Sequence, residues 1–184
     1  MKKLILSVAA IFAFGFASAQ DTKFGLKGGL NLANFTDAES NTKIGVNFGA
    51  FAEVKINSSF AIQPELLFSM QGAKSGDTSI NLNYLNIPVM AKVTVGEGFS
   101  LQAGPQLGVL LTATGSKGGV DVDLKSSLKT IDFGLNLGAG YDVNENIMID
   151  ARYNFGMGGL TKDLAAGVTD SNNRIISISL GYKF

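Results

Sequence analysis

The chain has 184 residues, 23 of them Gly, with 15 Lys+Arg balancing 15 Asp+Glu and no Cys or His. The missing Cys excludes disulfides, thiolate metal sites and Cys nucleophiles, and the missing His removes the commonest general base and zinc ligand. Neutral charge argues against a nucleic-acid binder, and a mean hydropathy of +0.23 is too apolar for disorder, yet no internal stretch is long enough for a transmembrane helix.

In chain order, the first segment reads as an address. Met1-Lys2-Lys3 is a short positive start, Leu4 to Phe16 is an uncharged apolar run, and Ala17-Ser18-Ala19 is a small-x-small cleavage site. This is the layout of a signal peptide over residues 1–19, with a mature domain over 20–184. No Cys follows the site, so a lipoprotein is excluded.

From Lys23 onward apolar residues recur at every second position, the mark of strands whose side chains point alternately to two faces. Eight segments carry it: Phe24–Leu32, Ile44–Ile56, Phe60–Met70, Leu85–Val95, Phe99–Leu111, Ile131–Val143, Ile147–Met157 and Ile176–Phe184. The fourth is expected to start near Ile80, with a phase slip at Tyr84-Leu85 that predicts a bulge. The charges within these segments are Lys27, Glu53, Lys55, Glu65, Lys92, Asp132, Asp142, Asp150, Arg152 and Lys183, and all sit in the polar phase. Asn57-Ser58-Ser59, Gly96-Glu97-Gly98 and Asn144-Glu145-Asn146 read as tight turns. Longer loops are expected over 35–43, 72–79, 113–130 and 158–174. Short turns at one end and long loops at the other describe an up-and-down meander.

The charge-free phase holds Pro64 and Pro105, and the other phase is rich in Gly and Asn, as in Gly134, Asn136, Gly138 and Gly140. Small polar residues suit the crowded interior of a small barrel, and a charge-free face suits lipid. Backbone groups in lipid must be satisfied internally, so the sheet must close. The expectation is an all-β, eight-stranded antiparallel up-and-down transmembrane barrel. Phe60, Phe99, Tyr141, Tyr182 and Phe184 at one end, and Phe35, Phe68 and Phe155 at the other, read as interfacial girdles. The apolar phase of the last strand ends on Tyr182 and Phe184, which resembles an insertion signal for the barrel-assembly machinery.

Several short motifs in this order also resemble a known family: Phe24-Gly25-Leu26-Lys27-Gly28-Gly29-Leu30-Asn31, Tyr84-Leu85-Asn86-Ile87-Pro88, Gly104-Pro105, Asp132-Phe133-Gly134, Gly138-Ala139-Gly140 and Ala151-Arg152-Tyr153. The chain resembles the PorT-like small outer-membrane β-barrel proteins of Bacteroidetes over most of 21–184. The resemblance implies an eight-stranded barrel in the outer membrane and no single activity. Some relatives belong to a secretion pathway, a role that the resemblance does not carry to this chain.

No residue set reads as catalytic, cofactor-binding or metal-binding, so the chain is not expected to be an enzyme. Asp121-x-Asp123 lacks the further oxygen ligands of a calcium loop, and Gly115-Ser116-Lys117-Gly118-Gly119 lacks the phosphate-loop spacing. Lys27, Glu53, Lys55, Glu65, Lys92, Asp132, Asp150 and Arg152 are expected to form a charge network inside the lumen, because buried charges need partners. Arg152 is expected to pair with an inward carboxylate. Centring the hairpin on Ser59 would make Glu53 and Glu65 near cross-strand partners.

The function read from these features is a monomeric, non-enzymatic outer-membrane barrel with a structural or loop-mediated binding or adhesion role. Its partners are membrane lipid and the assembly machinery, with no nucleic acid and no cofactor. The alternatives are a soluble exported barrel around a small apolar ligand, or a narrow pore.

Overall fold

The computed structural model describes residues 22–35, 41–157 and 173–184. The expected signal peptide and much of the first and last long loops lie outside these residues. Nine strands follow: β1 Thr22–Phe35, β2 Asn41–Lys55, β3 Phe60–Ser75, β4 Thr78–Thr94, β5 Phe99–Lys117, β6 Val120–Asp123, β7 Ile131–Asp142, β8 Ile147–Gly156 and β9 Asn173–Lys183. Every neighbouring pair is antiparallel, and β1 joins both β2 and β9 while β4 joins β5. Eight strands therefore close a ring, and β6 lies outside it, paired to the far end of β5.

The turns form where turn formers stand. The Asn57 side chain accepts hydrogen bonds from the backbone N–H of Ser59 and Phe60, and Asn144 does the same for Asn146 and Ile147. The loop end departs from expectation. The expected loop over 72–79 is a tight hairpin: β3 and β4 pair out to Ser75 and Thr78, leaving two turn residues, Gly76 and Asp77. The expected loop over 113–130 instead carries β5 to Lys117, turns through Gly118 and Gly119 and returns as β6. Both turn glycines have positive φ, 58° and 84°, which a primed hairpin turn requires.

The two faces are as the phase of the charges requires. Leu26, Leu30, Ile44, Phe48, Leu101, Leu137, Ile149, Ile178 and Leu180 are exposed on the outside. Lys27, Asn31, Glu53, Glu65, Lys92, Asn136, Asp150, Arg152 and Lys183 are buried inside. The apolar side chains carry the exposed face, the inverse of a water-soluble barrel. Among the aromatics, Phe99 pairs across from Tyr141 at the short-turn end, where the Tyr182 and Phe184 rings also lie 5.4 Å apart.

Small residues on the inside let strands and side chains approach. Gly25 and Gly181 leave room for the Phe51 ring, which is fully buried in the lumen. At Gly49 an added Cβ would run into the backbone carbonyl of Leu66 on the neighbouring strand. Gly49→Ala is therefore expected to lower stability by about 1–3 kcal/mol, since the obstacle is backbone and cannot swing aside. Urea unfolding of the refolded barrel in detergent measures it.

The expected bulge lies elsewhere. Strand β4 alternates without a slip, with Leu82, Tyr84, Asn86, Pro88, Met90 and Lys92 all buried on the inside. The irregularity falls on β5, where Asn83 pairs with Thr112 but Tyr84 with Leu110, leaving Leu111 as the extra residue. Leu82 and Tyr84 are apolar, yet their side chains point inward, opposite to the outward apolar phase below them. Above this level the polarity of the two faces is exchanged: Ser79, Asn81, Asn83, Thr112, Thr114 and Ser116 take the outer positions. Inside, Leu82, Tyr84, Leu110 and Ala113 pack with Ile80, Leu124 and Leu128 as a small apolar core.

Candidate functional site

Two ion-pair clusters fill the lumen. The first joins β1, β3, β5 and β8. The Arg152 guanidinium holds Glu65 with two hydrogen bonds, Nη1 to Oε2 at 2.9 Å and Nη2 to Oε1 at 2.7 Å. Its Nε and Nη2 also donate to Gln102 Oε1 at 3.1 and 2.8 Å. Lys27 Nζ lies 2.7 Å from Asp150 and 3.4 Å from Glu65, and Gln63 Nε2 donates to Glu65 Oε1 at 2.6 Å. This cluster has two cations and two anions, and all four side chains are almost fully buried. Arg152 thus pairs with an inward carboxylate, as expected.

The second cluster lies nearer the short turns and is also two against two. Lys92 Nζ sits 2.8 Å from Glu53 and 3.1 Å from Asp142, while Lys183 Nζ sits 3.0 Å from Glu53 and 2.9 Å from Asp142. Its members come from β2, β4, β7 and β9, so it ties together strands that are not neighbours. The charge phase places Asp142 and Lys183 inward, but the expected network does not include them. Their position in the last turn of each strand gave no sign that the lumen is still closed at that depth.

The remaining expected members fall outside both clusters. Lys55 follows the inward phase but is exposed at the short-turn rim, where the lumen has opened to water. Asp132 is half-buried toward the other end, opposite Gly108 and close to Tyr84. Glu53 and Glu65 do not face one another. The hairpin register pairs Phe51 with Glu65 and Val54 with Ile62, so it centres on Ser58. One residue of offset sends the two carboxylates to different clusters.

Above the first cluster the lumen is lined by amides and hydroxyls bonded to one another. Ser179 Oγ donates to Asn47, Asn47 to Asn31 and Asn31 to Ser69, at 3.1, 2.8 and 2.9 Å. Asn154 donates to Asn136 and Asn136 to Gln106, both at 3.1 Å. The space left among them is a cavity of about 30 Å³, room for a water molecule rather than a substrate. The Glu53, Glu65, Asp142 and Asp150 carboxylates are held by cations, and among the described residues no three His, Cys, Asp or Glu side chains gather into a group that could hold a metal ion. Asp121 accepts from Ser116 Oγ at 2.5 Å and Asp123 accepts from the backbone N–H of Lys125 at 2.8 Å. They act as turn and hairpin ties.

At the loop end the segment after β6 closes over the inner face of the β4–β5 extension. The Leu124 N–H donates to the Ala113 carbonyl at 2.9 Å and that of Leu110 to the Thr130 carbonyl at 2.8 Å. Leu124 itself lies against Gly115.

Residues 17–162 match a family model described as an outer membrane protein beta-barrel domain. Among solved structures, the chain is similar to Neisserial surface protein A, with a TM-score of 0.61 and 17% identity over 89% of this chain and 97% of that one. It is also similar to Ail, the attachment invasion locus protein of Yersinia pestis, with a TM-score of 0.56 and 14% identity over 90% of this chain and 100% of that one. Ail is also known in complex with the heparin analogue sucrose octasulfate, and that structure aligns with a TM-score of 0.54 and 14% identity, over 90% of this chain and 100% of that one. No curated sequence matches the chain. At these identities the structural likeness concerns the fold.

Proposed function

The chain belongs to the outer membrane protein β-barrel domain family, and from that premise we propose that it is a non-enzymatic scaffold that holds its loop end out of the membrane to bind a partner. The observation that carries this reading is the contrast between the two regions. The lumen is occupied by two separately neutral ion-pair clusters and a hydrogen-bonded amide ladder. The loop end has its own apolar core and strands reaching past the charge-free band. A rigid barrel with a built projection serves recognition, because loops on fixed scaffolds carry function.

In the same reading residues 1–19 export the chain, and Tyr182 and Phe184 on the outer face of β9 are what the assembly machinery reads. The barrel is a PorT-like member from Bacteroidetes, surrounded by lipid and monomeric. The exposed apolar face weighs against the soluble ligand-carrying alternative, and the filled lumen weighs against a pore.

Fractionation and conductance test this reading. A detergent-requiring, heat-modifiable outer-membrane species that passes no steady current in planar bilayers is the expected result. A water-soluble monomer overturns the membrane role, and steady single-channel conductance overturns the sealed scaffold in favour of a pore.

A further inference from the structure

Among the described residues the strand outside the ring, β6, pairs along only one of its edges. Its residues pair with β5 as Thr114 with Asp123, Gly115 with Val122, Ser116 with Asp121 and Lys117 with Val120. Among the described residues β6 has no second strand neighbour. With respect to the described residues its other row of backbone donors and acceptors is open, a template for a further strand.

The side chains of β6 divide by face. Val122 stands opposite Gly115, on the face that Leu124 covers, so Val120 and Val122 continue the inner apolar surface of the extension. That cover stops short of them, since Val120 is 66% and Val122 55% exposed. Asp121 and Asp123 occupy the opposite face, beside Ser116 and Thr114. The Gly118-Gly119 turn and the packed core behind β5 hold this edge in place.

Resting on the binding role proposed above, we propose that the free edge of β6 receives an extended polypeptide segment whose alternate side chains are apolar and basic. Its backbone would continue the sheet. Its apolar side chains would cover the uncovered valines, and its Lys or Arg side chains would stand across from Asp121 and Asp123. The charges select against a second copy of this chain. Two β6 edges meeting about a two-fold axis in phase would set Asp121 against Asp121, and like charges directly opposite are destabilising.

The test uses the whole protein in phosphatidylcholine nanodiscs and a synthetic peptide of four Val-Lys repeats with blocked ends, with empty nanodiscs subtracted. Controls are the Val-Glu peptide and a Val-Lys peptide N-methylated at each Lys, the residues whose N–H groups face β6 when the segment adds antiparallel like the rest of the sheet. The expected result is binding of the Val-Lys peptide, its loss on N-methylation, and slowed amide exchange at residues 120–123. The double variant D121K/D123K, on an exposed strand, should weaken that peptide by about tenfold or more and favour the Val-Glu peptide. Heat-modifiable migration verifies that the variant is folded. No binding of the Val-Lys peptide, or binding indifferent to N-methylation and to the charge reversal, overturns the proposal. The fractionation and conductance results are independent of this outcome, so the edge can fail while the sealed scaffold stands.

Discussion

Replacing Arg152 with Met is expected to destabilise the barrel by roughly 3–5 kcal/mol, the range for removing one partner of a buried ion pair. Glu65 and Asp150 would be left with Lys27 alone in a space without bulk water. Glu65 would lose both guanidinium hydrogen bonds, and Gln102 Oε1 would lose its donors. The companion variant R152M/E65M removes one charge of each sign and keeps the 2.7 Å Lys27–Asp150 pair. It should recover more than half of the loss, because the penalty lies in the unpaired charge rather than in the missing pair. Urea titration of refolding in detergent, read by circular dichroism and by the heat-modifiable gel shift, gives both numbers. A single variant as stable as the parent would show that water reaches Glu65 and that the lumen is not sealed at this level.

Ile178→Arg is expected to cost about 2–4 kcal/mol in a bilayer, the range for a cation on the lipid face near the midplane. Ile178 lies in the middle of β9, between Leu30 of β1 and Ala151 of β8, and is 55% exposed. In a water-soluble barrel the same exposed position would accept Arg at little cost. The substitution therefore reads the environment of the outer face directly. Comparing unfolding in lipid vesicles for this variant and the parent supplies the answer, and equal stabilities would mean that the outer face does not meet lipid.

Period-two alternation was enough to read the closed ring of eight strands, because a strand sends every second side chain to one face and ten charges kept to a single phase. The pairing of Arg152 with a carboxylate was legible for the same reason: an inward Arg in a narrow lumen must find an anion. Partner identity was not legible. It depends on register, and a hairpin centred on Ser58 rather than Ser59 sends Glu53 to Lys92 and Lys183, and Glu65 to Arg152. Turn composition does not fix that offset. The inward side of the loop end was not legible, because an apolar phase marks the outer face only where that face meets lipid. At Leu82 and Tyr84 the apolar phase means inward, since the solvent outside has changed. The signal is present in the alternation of Ser79, Asn81 and Asn83 with Ile80, Leu82 and Tyr84, but it carries no label saying which set faces out.

The exchange of polarity along β4 makes the strand a depth gauge. From Leu85 to Val93 its outer positions are apolar, and from Asn83 upward they are polar. Nine residues at about 3.3 Å each, tilted near 45°, rise about 21 Å, close to the height of the hydrocarbon-facing band of outer-membrane barrels. Sliding the barrel by one residue pair in either direction would either bury Asn83 in hydrocarbon or lift an apolar residue into water. The molecule is thus fixed vertically by a single ribbon that obeys two sets of rules. Below the exchange, substitutions follow the grammar of a membrane protein. Above it, the hairpin can be trimmed, lengthened or grafted by the grammar of a soluble one, leaving the barrel beneath unaware of the change.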